Sequence, residues 1–141
     1  MTNIQAALGV AQMEKIDKII MAKNKLAAAY SNGLRSVPGI QLPPEAVWAE
    51  NVYWLYCILV HPQVFGMSRN ELMGILSEQE IETRPLFPPL HTQPIYNTGQ
   101  SLPVAEHLSA SGVSLPSAVT LSTHDLARTI QVIRNTARSP S

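Results

Sequence analysis

The sequence predicts an α+β fold, a small domain in which helices pack over a sheet of about three strands. Helical and strand-like segments alternate in the order helix, strand, helix, strand, helix, strand, helix, a pattern typical of one sheet covered by helices. Hydrophobic residues make up 45% of the 141 positions, which is enough for one core. The first helix is long for so small a sheet, which indicates a bridge to another domain.

The first predicted helix covers residues 2 to 32, because only Gly9 interrupts a run of strong helix formers. Asn32 and Gly33 are its expected stop. A helix that is apolar on two sides needs two neighbours, so we expect residues 1–33 to be an interdomain helix and residues 34–141 to form the small domain. The two apolar sides consist of Ile4, Leu8 and Ala11 on one and of Met13, Ile16 and Ile20 on the other.

Three strands are expected after this helix. The first covers residues 52 to 60, where an unbroken β-branched and aromatic run indicates burial on both faces. Within it, Tyr53 and Trp54 should point to opposite faces and belong to the core. A brief strand is expected at residues 81 to 83, just before the prolines, and a third in the segment GVSLP at residues 112 to 116.

Three shorter helices complete the predicted domain. Ser68 and Glu71 have the spacing of a capping box, which predicts a helix start in the segment MSRNELMGILSEQE. A second helix is expected over residues 103 to 109. Ser122 and Asp125 repeat the capping spacing at the start of a final helix over residues 123 to 136. The tail TARSPS is expected to fray.

The overall charge and the single cysteine limit the class of protein. Ten basic and ten acidic side chains cancel, so neither nucleic acid nor an anionic membrane is an expected partner. Cys57 has no second cysteine to pair with and is expected to be a small buried side chain. The apolar run VYWLYCILV is too short to cross a bilayer. The N-terminal segment lacks the features of a signal peptide, so a cytoplasmic protein is expected.

The residues alone do not predict a complete enzyme. The seven glycines are scattered, so no phosphate-binding loop is formed, and the four histidines lack the spacing of zinc ligands. A lysine that forms a Schiff base needs a buried or cationic setting. The lysines of the first helix are instead expected to be ordinary solvated side chains: Lys15, Lys18, Lys23 and Lys25.

Several blocks of sequence carry a family resemblance that covers residues 1 to 134. The opening MTNIQAALGVAQMEKID is followed in order by ENVYWLYCILV, IETRPLFPPLHTQPIY, LPVAEHLSASGVSLPS and LSTHDLARTIQVI. Together they resemble the DegT/StrS-type sugar-nucleotide aminotransferases, which use pyridoxal phosphate. The pair VYWLY and IETRPLFPPLH is most similar to the branch that aminates the 4-keto carbon of GDP-4-keto-6-deoxymannose.

The resemblance implies a fold, a reaction and an assembly. The family's subunit has a large α/β domain and a smaller C-terminal domain in an aspartate-aminotransferase-like fold, and it works as a homodimer. A lysine of the large domain holds pyridoxal phosphate, glutamate donates the amino group, and a nucleotide sugar accepts it. Such amino sugars belong to polysaccharide and O-antigen biosynthesis.

One departure from the family pattern concerns completeness. In the family, an aromatic-Asn-aromatic-Arg run precedes Met-Thr, and the catalytic lysine, the aspartate and the phosphate-binding residues lie further upstream. No residue of this chain matches them. We therefore expect a C-terminal portion of an aminotransferase that binds no cofactor alone and is inactive alone. A stand-alone binding or dimerisation module that kept the fold and lost catalysis is the alternative, and a fragment with no independent role is a third possibility.

The proline-rich segment supplies the candidate substrate-binding residues. By the resemblance, Arg84 binds a substrate phosphate or the donor's carboxylate, or else it pairs with a surface acid or a dimer partner. His91 lines the nucleotide-sugar pocket, or is a loop histidine satisfied by nearby backbone. Phe87 stacks on the base or sugar, or anchors the loop in the core. The prolines of this segment should limit the motion of the loop. No catalytic, cofactor-binding or metal-binding residue is expected in this chain.

Overall fold

The computed structural model describes residues 1–137. The chain forms a mixed helix and sheet domain, as expected, with six helices and four strands among the described residues. The helices are α1 (Asn3–Met13), α2 (Ile16–Leu34), α3 (Pro62–Phe65), α4 (Arg69–Glu78), α5 (Pro103–Ser111) and α6 (Thr123–Thr136). The strands are β1 (Ile40–Gln41), β2 (Tyr56–Val60), β3 (Arg84–Pro85) and β4 (Gly112–Leu115), and two 3₁₀ turns cover Leu90–Thr92 and Pro94–Tyr96.

The sheet has four antiparallel strands in the order β1-β2-β4-β3. The expectation of about three strands missed β1, a two-residue edge strand that pairs Ile40 with Val60. Gly39 leads into it with φ +76, a backbone conformation that glycine adopts without steric cost. β1 is defined by its partner strand rather than by its own composition, which is why the sequence pattern did not reveal it.

The strand expected at residues 81 to 83 lies three residues later, at β3. Ile81 is buried in the core without pairing to a strand, whereas Arg84 pairs with Ser114 and Pro85 with Val113 of β4. Proline lacks the N–H that a central strand would need. Pro85 is tolerated because β3 is an edge strand.

β2 begins at Tyr56 and not at residue 52, so the nine-residue strand prediction was too long. Tyr53 has φ +46, which takes the chain out of the extended conformation before the strand begins. Burial then alternates along β2, with fully buried Tyr56 followed by half-buried Cys57. Trp54 is exposed, so its assignment to the core was wrong, and burial on both faces was wrong as well.

The single long helix predicted for residues 2 to 32 is two helices, separated at Glu14 and Lys15. The Lys15 N–H donates to the Gln12 carbonyl, only three residues back, at 3.0 Å. This tightened turn interrupts the α-helical hydrogen-bond ladder although neither proline nor glycine stands there. The predicted stop at Gly33 was also misplaced, because Gly33 is helical and α2 continues to Leu34.

The core lies where α2 packs on the face of β2 that carries Tyr56. The rings of Tyr30 and Tyr56 stack with centroids 4.9 Å apart. α2 also packs against α6, and α6 against α4. Gly33 permits the first of these contacts, because a Cβ there would lie 2.6 Å from Ile130 Cγ2. The second half of α2 therefore belongs to the same core as the sheet.

The capping predictions are confirmed. Ser68 and Glu71 form a full capping box at α4, and the Ser122 side chain accepts from the Asp125 N–H at the start of α6. α5 and β4 also lie where the sequence placed them. Of the tail expected to fray, residues 138 to 141 lie outside the described residues. Within residues 1–137, no helix combines the length and the apolar character needed to span a membrane.

Candidate functional site

A groove of about 510 Å³ opens at one end of the sheet. Antiparallel pairing of Tyr56 with Leu115 and of Arg84 with Ser114 brings the start of β2, the start of β3 and the end of β4 together there. The groove combines aromatic, cationic and anionic side chains. Those that matter for its chemistry are Lys23, Trp54, Glu80, Glu82, Arg84 and Ser117.

Arg84 lines the groove from β3 and is paired with an acid. Its Nη2 lies 3.0 Å from Glu82 Oε1, and both side chains are largely exposed. An exposed pair of this kind contributes little to stability. The guanidinium can therefore exchange Glu82 for a phosphate or carboxylate at small cost. The alternative to substrate binding by Arg84 was pairing with a surface acid or a dimer partner, and a surface-acid pair is present.

Phe87 does not line the groove itself but lies beside Trp54, which does. The two rings are nearly parallel, at 15°, with centroids 6.5 Å apart. Each side chain is 70% exposed, so Phe87 is not a core anchor for the loop. The composition of the strand region hid Trp54, because an aromatic pair in an apolar run is ordinarily core. Trp54 lies in the bend between Tyr53, whose φ is positive, and the start of β2, and the sequence pattern gives no sign of this bend.

Lys23 is not the ordinary solvated lysine that was expected. Its Nζ donates to the Trp54 carbonyl at 2.9 Å and also to the Ser117 carbonyl. Partial burial lowers the pKa of its ammonium group from the ordinary lysine value. Lys23 thus links α2 to the segment before β2 and to the segment after β4, both of which line the groove.

Further hydrogen bonds hold the segment that follows β4. The Tyr30 hydroxyl donates to the Pro116 carbonyl at 2.9 Å, and the Tyr56 N–H donates to Ser117 Oγ at 3.4 Å. Burial raises the pKa of both tyrosine hydroxyls, and the hydrogen bond to Ser31 partly offsets this for Tyr56. The Tyr30 phenol thus ties α2 to the segment after β4, while the Tyr56 phenol is bonded to Ser31 of α2.

His91 does not line the groove. Its side chain is only 9% exposed, and its Nε2 lies 3.0 Å from Glu106 Oε1 on α5. The same carboxylate oxygen accepts the Leu102 N–H at 2.8 Å. That backbone hydrogen bond is the main cause, and His91 the next, of a Glu106 pKa below its usual range. The partner of His91 is therefore a carboxylate on α5, and the contact ties the proline-rich loop to that helix.

The described lysines do not fit the aldehyde of pyridoxal phosphate. Lys15, Lys18 and Lys25 are exposed, and a solvated ammonium group is a poor nucleophile. Lys23 is partly buried, yet two backbone carbonyls occupy its amine. Across residues 1–137, no cluster of three or more side chains could hold a metal ion. Among the described residues, the groove offers Arg84 and Trp54 as side chains that can bind a ligand.

The DegT/DnrJ/EryC1/StrS aminotransferase family matches residues 1–134 of this chain. The GDP-perosamine synthase of Vibrio cholerae is 40% identical over 120 residues, which are 83% of this chain and 32% of that protein. The GDP-perosamine synthase of Escherichia coli O157:H7 is 39% identical over 123 residues, or 86% of this chain and 32% of that protein. The resemblance drawn from the sequence blocks is thereby confirmed.

A solved structure matches the fold closely. DesV from S. venezuelae, in complex with a ketimine intermediate, has a TM-score of 0.86 at 30% identity, covering 97% of this chain and 37% of that one. A DegT DnrJ EryC1 StrS aminotransferase from Brucella abortus has a TM-score of 0.82 at 26% identity, covering 95% of this chain and 35% of that one. The chain spans about a third of the length of the curated relatives it matches.

Proposed function

The chain belongs to the DegT/DnrJ/EryC1/StrS aminotransferase family, and from this premise we propose that it forms the small domain of a sugar-nucleotide 4-aminotransferase. The reaction is transfer of an amino group from glutamate to GDP-4-keto-6-deoxymannose. The observation that carries the proposal is the 40% identity to a GDP-perosamine synthase over 83% of this chain. A groove with exposed aromatic and cationic side chains at the end of the sheet supports it.

In this proposal, Arg84 and Phe87 contact the substrate directly. The Arg84 guanidinium binds a substrate phosphate or the carboxylate of the donor, because its exposed Glu82 partner is easily replaced. Phe87 offers an exposed ring face to the base or sugar. His91 contacts Glu106, so its proposed contact with substrate requires a rearrangement of the loop. In the present arrangement, His91 holds the loop on α5.

The cofactor of the reaction is proposed to lie outside this chain. Family membership implies pyridoxal phosphate in the full-length proteins, where it serves as the electron sink. The lysines described above offer no suitable amine for it. This chain then supplies binding groups on one side of the active site, and we expect no transfer activity from it alone.

We propose that α1 and the start of α2 are the interdomain connection of the assembled enzyme, in a homodimer. α1 has no buried residue, and Ile4, Leu8 and Met13 are exposed. Exposed apolar side chains of this density mark surfaces that another protein segment covers. Residues 1–33 then act as the connection and residues 34–141 as the small domain, although the second half of α2 already packs into the core of that domain.

A chimera tests the proposal directly. Residues 1–134 of this chain replace the matching segment of the Vibrio cholerae GDP-perosamine synthase, and turnover of GDP-4-keto-6-deoxymannose with glutamate is measured. We expect amino-sugar formation. Gel filtration and cofactor absorbance establish beforehand that the chimera is folded and loaded. A folded, loaded chimera without turnover contradicts the proposal.

Two arginine variants, measured in the same assay, test the role of Arg84. Arg84→Met removes the guanidinium from the groove and should lower kcat/KM about tenfold or more, the usual effect of losing a hydrogen bond to a charged group. Arg134→Met, at an exposed arginine on α6 outside the groove, is the matched control and should leave kcat/KM unchanged. Equal losses in both variants would remove Arg84 from the proposed site.

The exposed side of α1 also favours a second candidate function, that of a stand-alone dimerisation module. Sedimentation of the full chain distinguishes the two. The module predicts a dimer that Leu8→Lys dissociates, because Leu8 is an exposed apolar residue of α1. A monomer that shows no concentration dependence counts against the module and leaves the aminotransferase domain as the function of the chain.

A further inference from the structure

Trp54 and Phe87 form an aromatic platform, by which we mean their two nearly parallel rings, of which Trp54 lines the groove and Phe87 lies beside it. We propose that this platform binds the purine base of the nucleotide sugar by stacking. The inference rests on the proposed function for the identity of the nucleotide, a guanosine diphosphate. It adds Trp54 as a ligand-contacting residue, and it adds Lys23 as the residue that positions Trp54.

Exposure is the first observation behind the proposal. Trp54 and Phe87 are each 70% exposed, although large aromatic rings bury readily in cores. Within residues 1–137, the ring contact of each is with the other, at 6.5 Å between centroids and 15° between planes. Parallel rings with free faces are the arrangement on which a third flat ring stacks. Base stacking on such side chains is independent of hydrogen bonding and typically contributes ~1–3 kcal/mol per base.

The backbone around Trp54 is fixed, which distinguishes the platform from an aromatic residue on a loose loop. Lys23 Nζ donates to the Trp54 carbonyl at 2.9 Å and simultaneously to the Ser117 carbonyl in the segment after β4. The preceding residue, Tyr53, is stacked on Tyr56 with centroids 6.0 Å apart. The ring of Trp54 is thus presented by a held backbone, and little conformational entropy is lost when a base stacks on it.

The charges of the groove favour a base with a small phosphate chain over a polyanion. Lys23 and Arg84 are cationic, while Glu80 and Glu82 are anionic, so the formal charges of the groove cancel. Of these two cations, Arg84 is the one whose ion-pair partner is exposed and can be replaced by a phosphate. Electrostatic attraction alone therefore gives weak binding, and stacking on the platform must supply most of the affinity. We therefore expect a ligand that has both a base and a phosphate, which is a nucleotide.

The test is a titration of the full 141-residue chain with GDP, in which binding is monitored through amide chemical shifts. In a Trp48→Phe background, which leaves Trp54 as the single indole, GDP should quench the tryptophan fluorescence saturably. We expect Trp54→Ala to weaken GDP binding roughly tenfold. Ile95→Ala, which removes another exposed apolar side chain outside the groove, should not change it. Absence of GDP binding, or equal binding by Trp54→Ala, overturns the proposal.

Pyrophosphate, which has phosphates and no base, separates stacking from charge. Its weak binding should be insensitive to Trp54→Ala. For the positioning residue, Lys23→Met should lower GDP affinity about fivefold, by loss of the carbonyl contact, without changing pyrophosphate affinity, and Lys23→Arg should restore GDP binding. If Lys23→Met lowers both affinities equally, Lys23 contacts phosphate instead and the positioning role is wrong.

The outcomes separate this inference from the proposed function. A chimera that transfers amino groups, with the same KM for the GDP-sugar in its Trp54→Ala form, refutes the platform and leaves the function in place. An inactive chimera together with Trp54-dependent GDP binding to the chain refutes the function and leaves the platform in place. An active chimera whose KM rises roughly tenfold in the Trp54→Ala form supports both.

Discussion

The helices α1 and α6 both begin at a side-chain cap, but they lie in different surroundings. Thr2 caps α1 with Gln5 as its partner, and Ser122 caps α6 with Asp125. α6 then packs on α2 and α4, whereas α1 buries none of its residues. Capping determines where a helix begins, but burial of an apolar face supplies most of a helix's stability in a protein. The two helices should therefore respond very differently to the same kind of substitution.

The largest expected difference comes from truncating one apolar side chain in each helix. Ile133→Ala should lower the free energy of unfolding by about 2–5 kcal/mol, because a fully buried side chain leaves a cavity. Leu8→Ala should change it by less than about 0.5 kcal/mol, because Leu8 lies on the surface. Urea unfolding of the two variants measures both values. Similar losses would mean that α1 is part of the same cooperative core.

A pair of glycines gives the next largest contrast. Gly33→Ala places a Cβ 2.6 Å from Ile130 Cγ2, so the contact between α2 and α6 must shift, at a cost of about 1–3 kcal/mol that the helix propensity of alanine only partly offsets. Nothing lies within 4 Å of a Cβ at Gly9, and alanine is the better helix former by about 1 kcal/mol. Circular dichroism should show more helix for Gly9→Ala and an earlier unfolding midpoint for Gly33→Ala. A destabilised Gly9→Ala variant would indicate a neighbour for α1.

The smallest expected effect is a pH dependence of the free energy of unfolding, which involves a core residue and no residue of α1. Burial raises the pKa of Tyr30 well above its ordinary range, and α1 has no ionisable side chain. The stabilisation from the neutral phenol is complete below the unfolded tyrosine pKa of about 10 and is lost as the pH rises through the folded-state value. Tyr30→Phe should therefore reduce the loss of stability above about pH 10, while costing about 1 kcal/mol at neutral pH.

Denaturant midpoints between about pH 8 and about pH 11 measure that effect. Tyr96→Phe, at an exposed tyrosine of the proline-rich loop, is the matched control and should follow the unsubstituted chain. If Tyr30→Phe and the unsubstituted chain lose stability in parallel, the alkaline transition arises elsewhere, and the neighbouring Tyr56, whose pKa is also raised by burial, is the next residue to replace.

The parts of the fold that depend on local chemistry could be predicted from the sequence. The capping pairs at Ser68 and Ser122 fixed two helix starts, because a cap and its partner lie within one turn. The edge strands β1 and β3 could not be located, because each is only two residues long and is defined by its partner. The break at Lys15 carries no proline or glycine signal.

The candidate site divides in the same way. Arg84 and Phe87 stood out because they lie in a segment with a family resemblance, and both lie beside the groove. Trp54 and Lys23 were misassigned for a physical reason. The hydrogen bonds of Lys23 join residues 31 and 94 positions away in sequence, so no local pattern reveals them. His91 and Glu106 are closer together in sequence, but the segment between them has an irregular backbone, so no periodic pattern predicts their contact.

Amide hydrogen exchange, measured in the isolated chain and again in the chimera with the Vibrio cholerae enzyme, tests the central claim most directly. The claim is that this chain is one part of a larger aminotransferase whose remainder covers α1. In the chain alone, α1 amides should exchange rapidly while those of α6 are protected to the level of global unfolding. In the chimera, α1 should slow by about tenfold or more while α6 changes little. Strong protection of α1 in the chain alone, or none in the chimera, would contradict the account.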